Sequence, residues 1–162
     1  MVIEDAAKNA VIGQVILMFS ALLGVVFGFF LWLFGFGMFL LGMSGFSDVF
    51  GEPRIFRFSL LAGGLGLFSG ILLLSGLLKA GLIVLGMAYL FEIAANYLLY
   101  VESGVPAVIW GYVLMLIGVP LLAVGIGALL IIAGRIMVIY GYHSIPEIYR
   151  IKRKAREHVG LG

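Results

Sequence analysis

Four long stretches that contain almost no charged residue constrain what this chain can fold into. They are the segment between Lys8 and Asp48 and residues 58–78, 80–101 and 103–134. Their lengths are 39, 21, 22 and 32 residues, and Glu92 is the one charged residue inside them. A transmembrane helix needs about 20 consecutive apolar residues. The pattern therefore predicts an all-α fold, a polytopic membrane helix bundle.

The composition excludes a soluble domain. Hydrophobic residues make up 64% of the chain and charged residues 11%, against about 45–50% and about 25% in a typical globular domain. A chain of 162 residues cannot bury so many apolar side chains in one core, because too much of a small domain is surface. We therefore expect the lipid bilayer to be its main partner, and we expect no nucleic acid and no cofactor.

Four transmembrane helices are the simplest count. The predicted spans are approximately 11–43, 58–78, 80–101 and 106–141. The first and last are long enough for a hairpin, which would give five or six helices. Neither has a polar turn at its middle, and a bare turn in lipid would leave backbone groups without hydrogen bonds. We therefore predict a four-helix domain over residues 1–143 and a short cytoplasmic tail over residues 144–162.

Lysine and arginine residues predict the orientation of this bundle. With four spans, only Arg54 and Arg57 lie on one side of the membrane. The other side holds Lys8, Lys79, Arg135, Arg150, Lys152, Arg153, Lys154 and Arg156. Cytoplasmic segments carry the excess of basic residues. Both termini are therefore expected in the cytoplasm.

Glycine, with 24 residues, recurs at intervals of seven. A period of seven keeps one seam of a helix facing its partner, and small residues let membrane helices approach closely. Gly66 and Gly70 form the shorter small-xxx-small motif. The predicted packing glycines are Gly28, Gly35, Gly42, Gly66, Gly70, Gly111, Gly118, Gly125, Gly127 and Gly134. In the last span the stripe changes face after Pro120, where we expect a kink.

Glu92 is the main candidate for chemistry, because a carboxylate inside a membrane span is costly and usually functional. Tyr89, Asn96 and Tyr100 lie on the same helical stripe. Glu92 could carry a proton or cation, bind a cationic ligand, or be a structural hydrogen-bonding group. Arg135 is expected to extend to the headgroups rather than to pair directly with Glu92.

The tail over residues 144–162 is predicted to form a separate amphipathic helix. Ser144 and Glu147 fit a capping box, with Pro146 in the first turn. Its cations are expected to bind anionic lipid headgroups, unless they only fix topology or dock a cytoplasmic partner. They are Arg150, Lys152, Arg153, Lys154 and Arg156.

The sequence supports two functional hypotheses. The first is a structural or interaction subunit, packed by glycine seams against itself or other membrane subunits. The alternative is a small transporter or channel that uses Glu92. A polar pocket at Glu92 favours the transporter, whereas a dry, packed stripe favours the subunit.

An enzyme is the weaker interpretation, because the spans hold no histidine and no pair of carboxylates at one depth. No metal site is predicted. The absence of Cys and Thr and the scarcity of Gln and Asn are typical of thermophilic proteins, and also of lipid-embedded chains.

Overall fold

The described part of the chain forms six helices. The structure, a computed structural model, describes residues 2–20, 25–122 and 125–158, and within these ranges it contains no strand. The helices are α1 (Ile3–Ser20), α2 (Val25–Phe50), α3 (Pro53–Leu74), α4 (Leu78–Ser103), α5 (Pro106–Leu121) and α6 (Gly127–His158).

The six helices form three antiparallel hairpins arranged in a ring. Within each hairpin, α1 packs on α2, α3 on α4, and α5 on α6. Contacts of α2 with α3, α4 with α5, and α6 with α1 close the ring. All three hairpins therefore begin at the same end of the bundle.

The two ends of the bundle differ in charge. The charged end holds the start of α1, the end of α6 and the connections at residues 51–52 and 104–105. The apolar end holds the opposite termini of the helices. Lys79 lies at the apolar end and Glu92 and Arg135 lie between the ends, whereas the other charged residues lie at or near the charged end.

Side-chain contacts hold the charged end together. Arg150 on α6 pairs with Glu4 on α1 at 2.5 Å, which links the two ends of the chain. Lys152 donates a hydrogen bond of 2.9 Å to the carbonyl of Ser103, at the C-terminus of α4. Cations stabilise helix C-termini in this way. Arg150 and Lys152 therefore have partners within the chain, in addition to the predicted lipid headgroups.

The prediction of an all-helical bundle with four helices able to span a membrane is confirmed. These segments are Phe27–Phe50, Pro53–Leu74, Leu78–Ser103 and Gly127–Ala155. Single continuous helices over 11–43 and 106–141 are wrong, because each of these regions contains two helices packed as a hairpin.

The apolar end shows how a turn forms without charged residues. After α3, Gly76 adopts a left-handed φ of 79°. The amide of Leu77 then donates to the carbonyl of Leu72, and the amide of Gly76 donates to Leu73. This Schellman motif satisfies the final carbonyls of the helix. Gly125, with φ of 80°, supports the connection after α5.

The predicted kink at Pro120 is replaced by a helix end. Pro120 occupies the last turn of α5, which stops at Leu121. Proline is disfavoured in the interior of a helix, because it removes one backbone donor and clashes with the preceding turn. The change of glycine face after Pro120 therefore marks the passage from one helix to the next.

Most of the predicted packing glycines face the other helix of their own hairpin. A Cβ on Gly42 would lie 2.5 Å from the backbone nitrogen of Ala10, so α1 and α2 touch there through their backbones. A Cβ on Gly111 would lie 2.5 Å from the carbonyl oxygen of Gly134. Gly28, Gly35, Gly118 and Gly127 have similar close neighbours.

The predicted tail helix is also corrected. Helix α6 runs without interruption through Pro146 to His158. The Ser144 hydroxyl donates to the carbonyl of Tyr140 at 2.9 Å rather than capping a new helix. The basic residues therefore extend from a membrane helix as its last turns, not as a separate domain.

Candidate functional site

A cavity of about 750 Å³ lies between the six helices. Each helix contributes residues from the half nearer the apolar end, so the cavity occupies that half of the bundle. Its lining is mostly apolar and includes Leu17, Trp32, Phe36, Gly63, Gly66, Gly70, Leu82, Leu85, Gly86, Leu116, Val119 and Ile131. Ligand pockets have volumes of about 300–1,000 Å³, so the cavity is large enough for a small molecule.

Three polar side chains mark the base of this cavity, near the middle of the bundle. Tyr89 and Glu92 on α4 and Arg135 on α6 line it. Glu92 lies 14 residues into α4 and 11 before its end, about 21 Å and about 17 Å along the helix axis. The polar base therefore lies well inside the membrane-spanning part of the chain.

Glu92 and Arg135 form a loose ion pair. Arg135 Nη1 lies 3.8 Å from Glu92 Oε1, which is beyond hydrogen-bond distance. The carboxyl instead accepts a hydrogen bond of 2.7 Å from the hydroxyl of Tyr112 on α5. The side chains of Arg135 and Glu92 keep 24% and 22% of their surface exposed. Since both line the cavity, a ligand there can reach both.

Gln14 on α1 completes the surroundings of Arg135. Its side-chain oxygen accepts a hydrogen bond from Arg135 Nη1, and the residue is fully buried. Its Nε2 has no hydrogen-bond partner in the described structure, and neither has the buried hydroxyl of Tyr89. Buried polar atoms are nearly always hydrogen-bonded. Of these two residues, Tyr89 lines the cavity and Gln14 does not.

Asn96 lies one turn beyond Glu92, toward the charged end. It is fully buried and donates to the carbonyl of Glu92 at 2.8 Å. The hydroxyl of Tyr142 on α6 donates to its side-chain oxygen at 2.5 Å. Tyr112 and Tyr142 are themselves buried. These tyrosines and Asn96 form a polar layer beneath the cavity base.

Tightly packed apolar side chains close the bundle beyond this polar layer. Phe46 and Tyr142 have ring centroids 6.2 Å apart, and Phe39 and Tyr142 6.3 Å. Other buried members of this core are Met43, Ile55, Leu99, Val108 and Ile145. The cavity therefore ends at the polar layer and does not continue to the charged end.

The structure brings together only part of the predicted site. Tyr89 and Glu92 line the cavity, whereas Asn96 supports Glu92 from below. Tyr100 lies apart and packs against Tyr97 with tilted rings, whose centroids are 6.3 Å apart. The expectation that Arg135 extends to the headgroups is wrong, because Arg135 turns inward to Glu92 and Gln14.

Sequence reasoning missed Gln14, Tyr112 and Tyr142 as members of the site. One signal was available for Gln14, since it is the single glutamine of the chain and lies within an uncharged stretch. Polar residues inside spans usually face other helices. No comparable signal marks Tyr112 and Tyr142, because tyrosine is common in this chain.

Gly66 and Gly70 do not have the predicted helix-packing role. Both line the cavity, as does Gly86 on α4. A Cβ on Gly70 or Gly86 would meet no atom within 4 Å, and one on Gly66 would lie 3.8 Å from the ring of Trp32. These glycines leave space where larger side chains would fill the cavity.

Among the described residues, no group of three His, Cys, Asp or Glu side chains could hold a metal ion. The site therefore offers one carboxyl, one guanidinium, hydroxyls and an amide. Such groups can bind the polar part of a ligand and exchange a proton with it.

Comparison with known protein families, curated proteins and solved structures finds no match for this chain.

Proposed function

We propose that this protein is an integral membrane protein that binds a small amphipathic molecule. The apolar part of the ligand occupies the cavity, and its polar group meets Glu92 and Arg135. The single observation that carries this proposal is the cavity of about 750 Å³, apolar along its walls and polar at its base. Sites of this kind combine an apolar pocket with a few convergent polar groups.

Electrostatics supports a ligand-binding role for the polar side chains at the base of the cavity. A charged side chain within a membrane is costly, and such residues commonly mark binding sites or ion pathways. A purely structural ion pair gains from direct hydrogen bonds between its partners. The 3.8 Å separation of Glu92 and Arg135 leaves that gain unrealised, while both side chains remain accessible from the cavity.

The alternative of a structural subunit has less support. It depended on glycine stripes that need a partner helix, and most of these face a helix of the same chain. Gly66 and Gly70 face the cavity instead. The glycines thus form the hairpins and leave room for a ligand, without requiring another subunit.

We further propose that the charged end faces the cytoplasm. With six helices, both termini and almost all basic residues share that end, as the positive-inside rule requires. The cavity then lies in the outer half of the membrane. A ligand reaches it from that half.

Transport is a second candidate function, favoured by the position of the ion pair. Transporter substrate sites typically lie near the bilayer midplane, and Glu92 lies near the middle of α4. Transport would require the layer of Asn96, Tyr112 and Tyr142 to open. Loading liposomes with labelled ligand and measuring its protein-dependent exit distinguishes transport from binding alone.

The experiment that tests binding fills the cavity without disturbing helix contacts. Gly70→Leu places a side chain in the cavity, whereas Gly64→Leu, on the same helix, places one on the outer surface. Neither position has an atom within 4 Å of a Cβ, and Gly64 does not line the cavity. Radiolabelled 1-octanol is the probe, with protein in nanodiscs and empty nanodiscs as background.

We expect saturable octanol binding in the native protein and in Gly64→Leu, and at least a tenfold loss of affinity in Gly70→Leu. Thermal unfolding of both variants checks that they are folded. Equal binding by the two folded variants, or no saturable binding by the native protein, would contradict the proposal.

A further inference from the structure

We propose that the cavity selects amphipathic anions, and that binding of the anion is accompanied by protonation of Glu92. This inference rests on the proposed binding function and adds the charge of the ligand and a linked proton. In the empty site the carboxylate of Glu92 balances the guanidinium of Arg135. In the occupied site the ligand's anionic group takes over that balance.

The guanidinium of Arg135 is suited to bind an anion. A guanidinium presents five N–H donors in a planar fork that matches two-oxygen anions. Arg135 uses Nη1 toward Gln14 and makes no hydrogen bond with Glu92, which lies 3.8 Å away. Its side chain is partly exposed in the cavity wall. The guanidinium is thus placed to bind an anion that enters the cavity.

The hydroxyl of Tyr89 is buried without a hydrogen-bond partner in the described structure. Tyr89 lines the cavity together with Arg135. An anion at Arg135 offers further acceptor oxygens to that hydroxyl. A cationic headgroup has no acceptor to offer. It would also lie beside Arg135, where like charges repel.

Binding of an anion changes the net charge of the site. The empty site carries one negative and one positive charge, so its net charge is zero. Adding an anion would leave one uncompensated negative charge in a medium of low dielectric constant, which is costly. Uptake of one proton by the Glu92 carboxylate forms a neutral carboxylic acid and restores a net charge of zero. The proton comes from the aqueous phase on the side that the cavity faces.

The groups facing Glu92 leave it as the proton acceptor. In the described structure these titratable neighbours are Tyr89 on α4, Tyr112 on α5, and Arg135 and Tyr142 on α6. Helices α2 and α3 contribute apolar or glycine residues to this part of the cavity, and α1 contributes uncharged Gln14. The tyrosines are already protonated and the guanidinium does not lose its proton.

The test uses three probes that share an octyl group and differ in their headgroup: octyl sulfonate, 1-octanol and octyltrimethylammonium. A sulfonate stays ionised across pH 5 to 8, so any pH dependence of its binding belongs to the protein. We expect octyl sulfonate to bind the native protein most tightly. The affinity for octyl sulfonate should rise about tenfold for each unit decrease in pH, because one proton is taken up with each bound anion. Octanol binding should not change with pH.

Proton uptake is measured directly with a pH-sensitive dye in weakly buffered nanodiscs. About one proton per bound sulfonate is expected, and none with octanol. Glu92→Gln should bind sulfonate with an affinity independent of pH and take up no proton, since its amide already resembles the neutral acid. Arg135→Gln should lose sulfonate binding at least tenfold, and thermal unfolding of this variant checks that it is folded.

The outcomes separate the two proposals. Loss of octanol and sulfonate binding in Gly70→Leu, with pH-dependent sulfonate binding in the native protein, supports both. Octanol binding with no preference for sulfonate, no proton uptake or a preference for the ammonium probe overturns the present inference alone. Absence of saturable binding for all three probes overturns the proposed function as well.

Discussion

Arg135 approaches Glu92 to 3.8 Å without forming a hydrogen bond to it, although the two side chains carry opposite charges. The reason lies in their other partners. Tyr112 donates to Glu92 from α5, and Gln14 accepts from Arg135 on α1. The two charged groups are thus 3.8 Å apart at the base of the cavity, and each has a separate hydrogen-bond partner.

The buried hydrogen bond between Tyr142 and Asn96 is expected to stabilise the fold. Tyr142→Phe should lower the free energy of unfolding by about 1 kcal/mol, because Asn96 keeps only its bond to the Glu92 carbonyl. Tyr140→Phe is the matched control, since Tyr140 is 65% exposed on the same helix. Unfolding in mixed micelles with increasing SDS measures both. Equal stability of the two variants would argue against a structural role for this bond.

Close contact between α1 and α2 should make Gly42 intolerant of substitution. Gly42→Leu is expected to cost about 1–3 kcal/mol of stability or more, because the backbone of Ala10 lies where the new side chain must go. Gly37→Leu, on the same helix with no atom within 4 Å of a Cβ, should change stability by less than about 0.5 kcal/mol. Thermal unfolding in detergent compares them. A Gly37 variant as unstable as the Gly42 variant would contradict the packing described.

Glu52, at the N-terminus of α3, should titrate at unusually low pH. Its carboxylate accepts from the side chain and amide of Arg54, and this hydrogen bonding lowers the pKa of Glu52 to about 2. A folded-state pKa below the unfolded one gives stability that is present above the unfolded value. That stability is lost as pH falls toward the folded value, here between about 4.3 and about 2.

NMR of the Glu52 side-chain carboxyl measures this titration. In Arg54→Gln the midpoint should return toward about 4.3, the ordinary pKa of glutamate. A midpoint near the ordinary value in the native protein would show that the Glu52–Arg54 pair does not form in solution.

The arrangement of three hairpins predicts which connections share a side of the membrane. The chain has no cysteine, so a single introduced cysteine reports one position. Ser75→Cys at the apolar end should react with an impermeant maleimide applied to intact cells. Glu102→Cys and Glu147→Cys, both near the charged end, should react only after permeabilisation. Labelling of Glu102→Cys and Glu147→Cys from opposite sides would contradict the six-helix topology.

The sequence predicted the class of fold but not the number of helices. The lengths of the stretches without charge predicted α3 and α4 well, because Arg57 and Lys79 lie close to the N-termini of these helices. The same criterion predicted α5 and α6 as one helix, because the connection after α5 contains no charged residue. The connection after α3 contains Ser75 and Gly76 but no charged residue, and it satisfies its backbone through local hydrogen bonds. A turn at the apolar end therefore does not need a charged residue.

The same limit applies to the site. Glu92 and Tyr89 were predicted because both lie on one stripe of one helix. Gln14 and Tyr112 belong to α1 and α5, and their approach to α4 depends on the order of the ring, which periodicity does not contain. Glycine spacing has the same ambiguity. Gly42 touches a neighbouring backbone, whereas Gly70 faces empty space, because the residues opposite them differ.

Tryptophan fluorescence measures occupation of the cavity by an amphipathic molecule. The chain has two tryptophans: Trp32 lines the cavity, and Trp110 is 56% exposed on the outer surface. Trp110→Phe leaves only the first as a reporter, and Trp32→Phe leaves only the second. The probe is 8-bromo-1-octanol, whose bromine quenches a nearby indole, added to the protein in nanodiscs.

We expect saturable quenching of Trp32 at low probe concentration, abolished by Gly70→Leu and retained in Gly64→Leu. Quenching of Trp110 should rise only in proportion to the probe dissolved in the lipid. Identical, non-saturating curves for the two tryptophans would show that the cavity holds no ligand and would contradict the account.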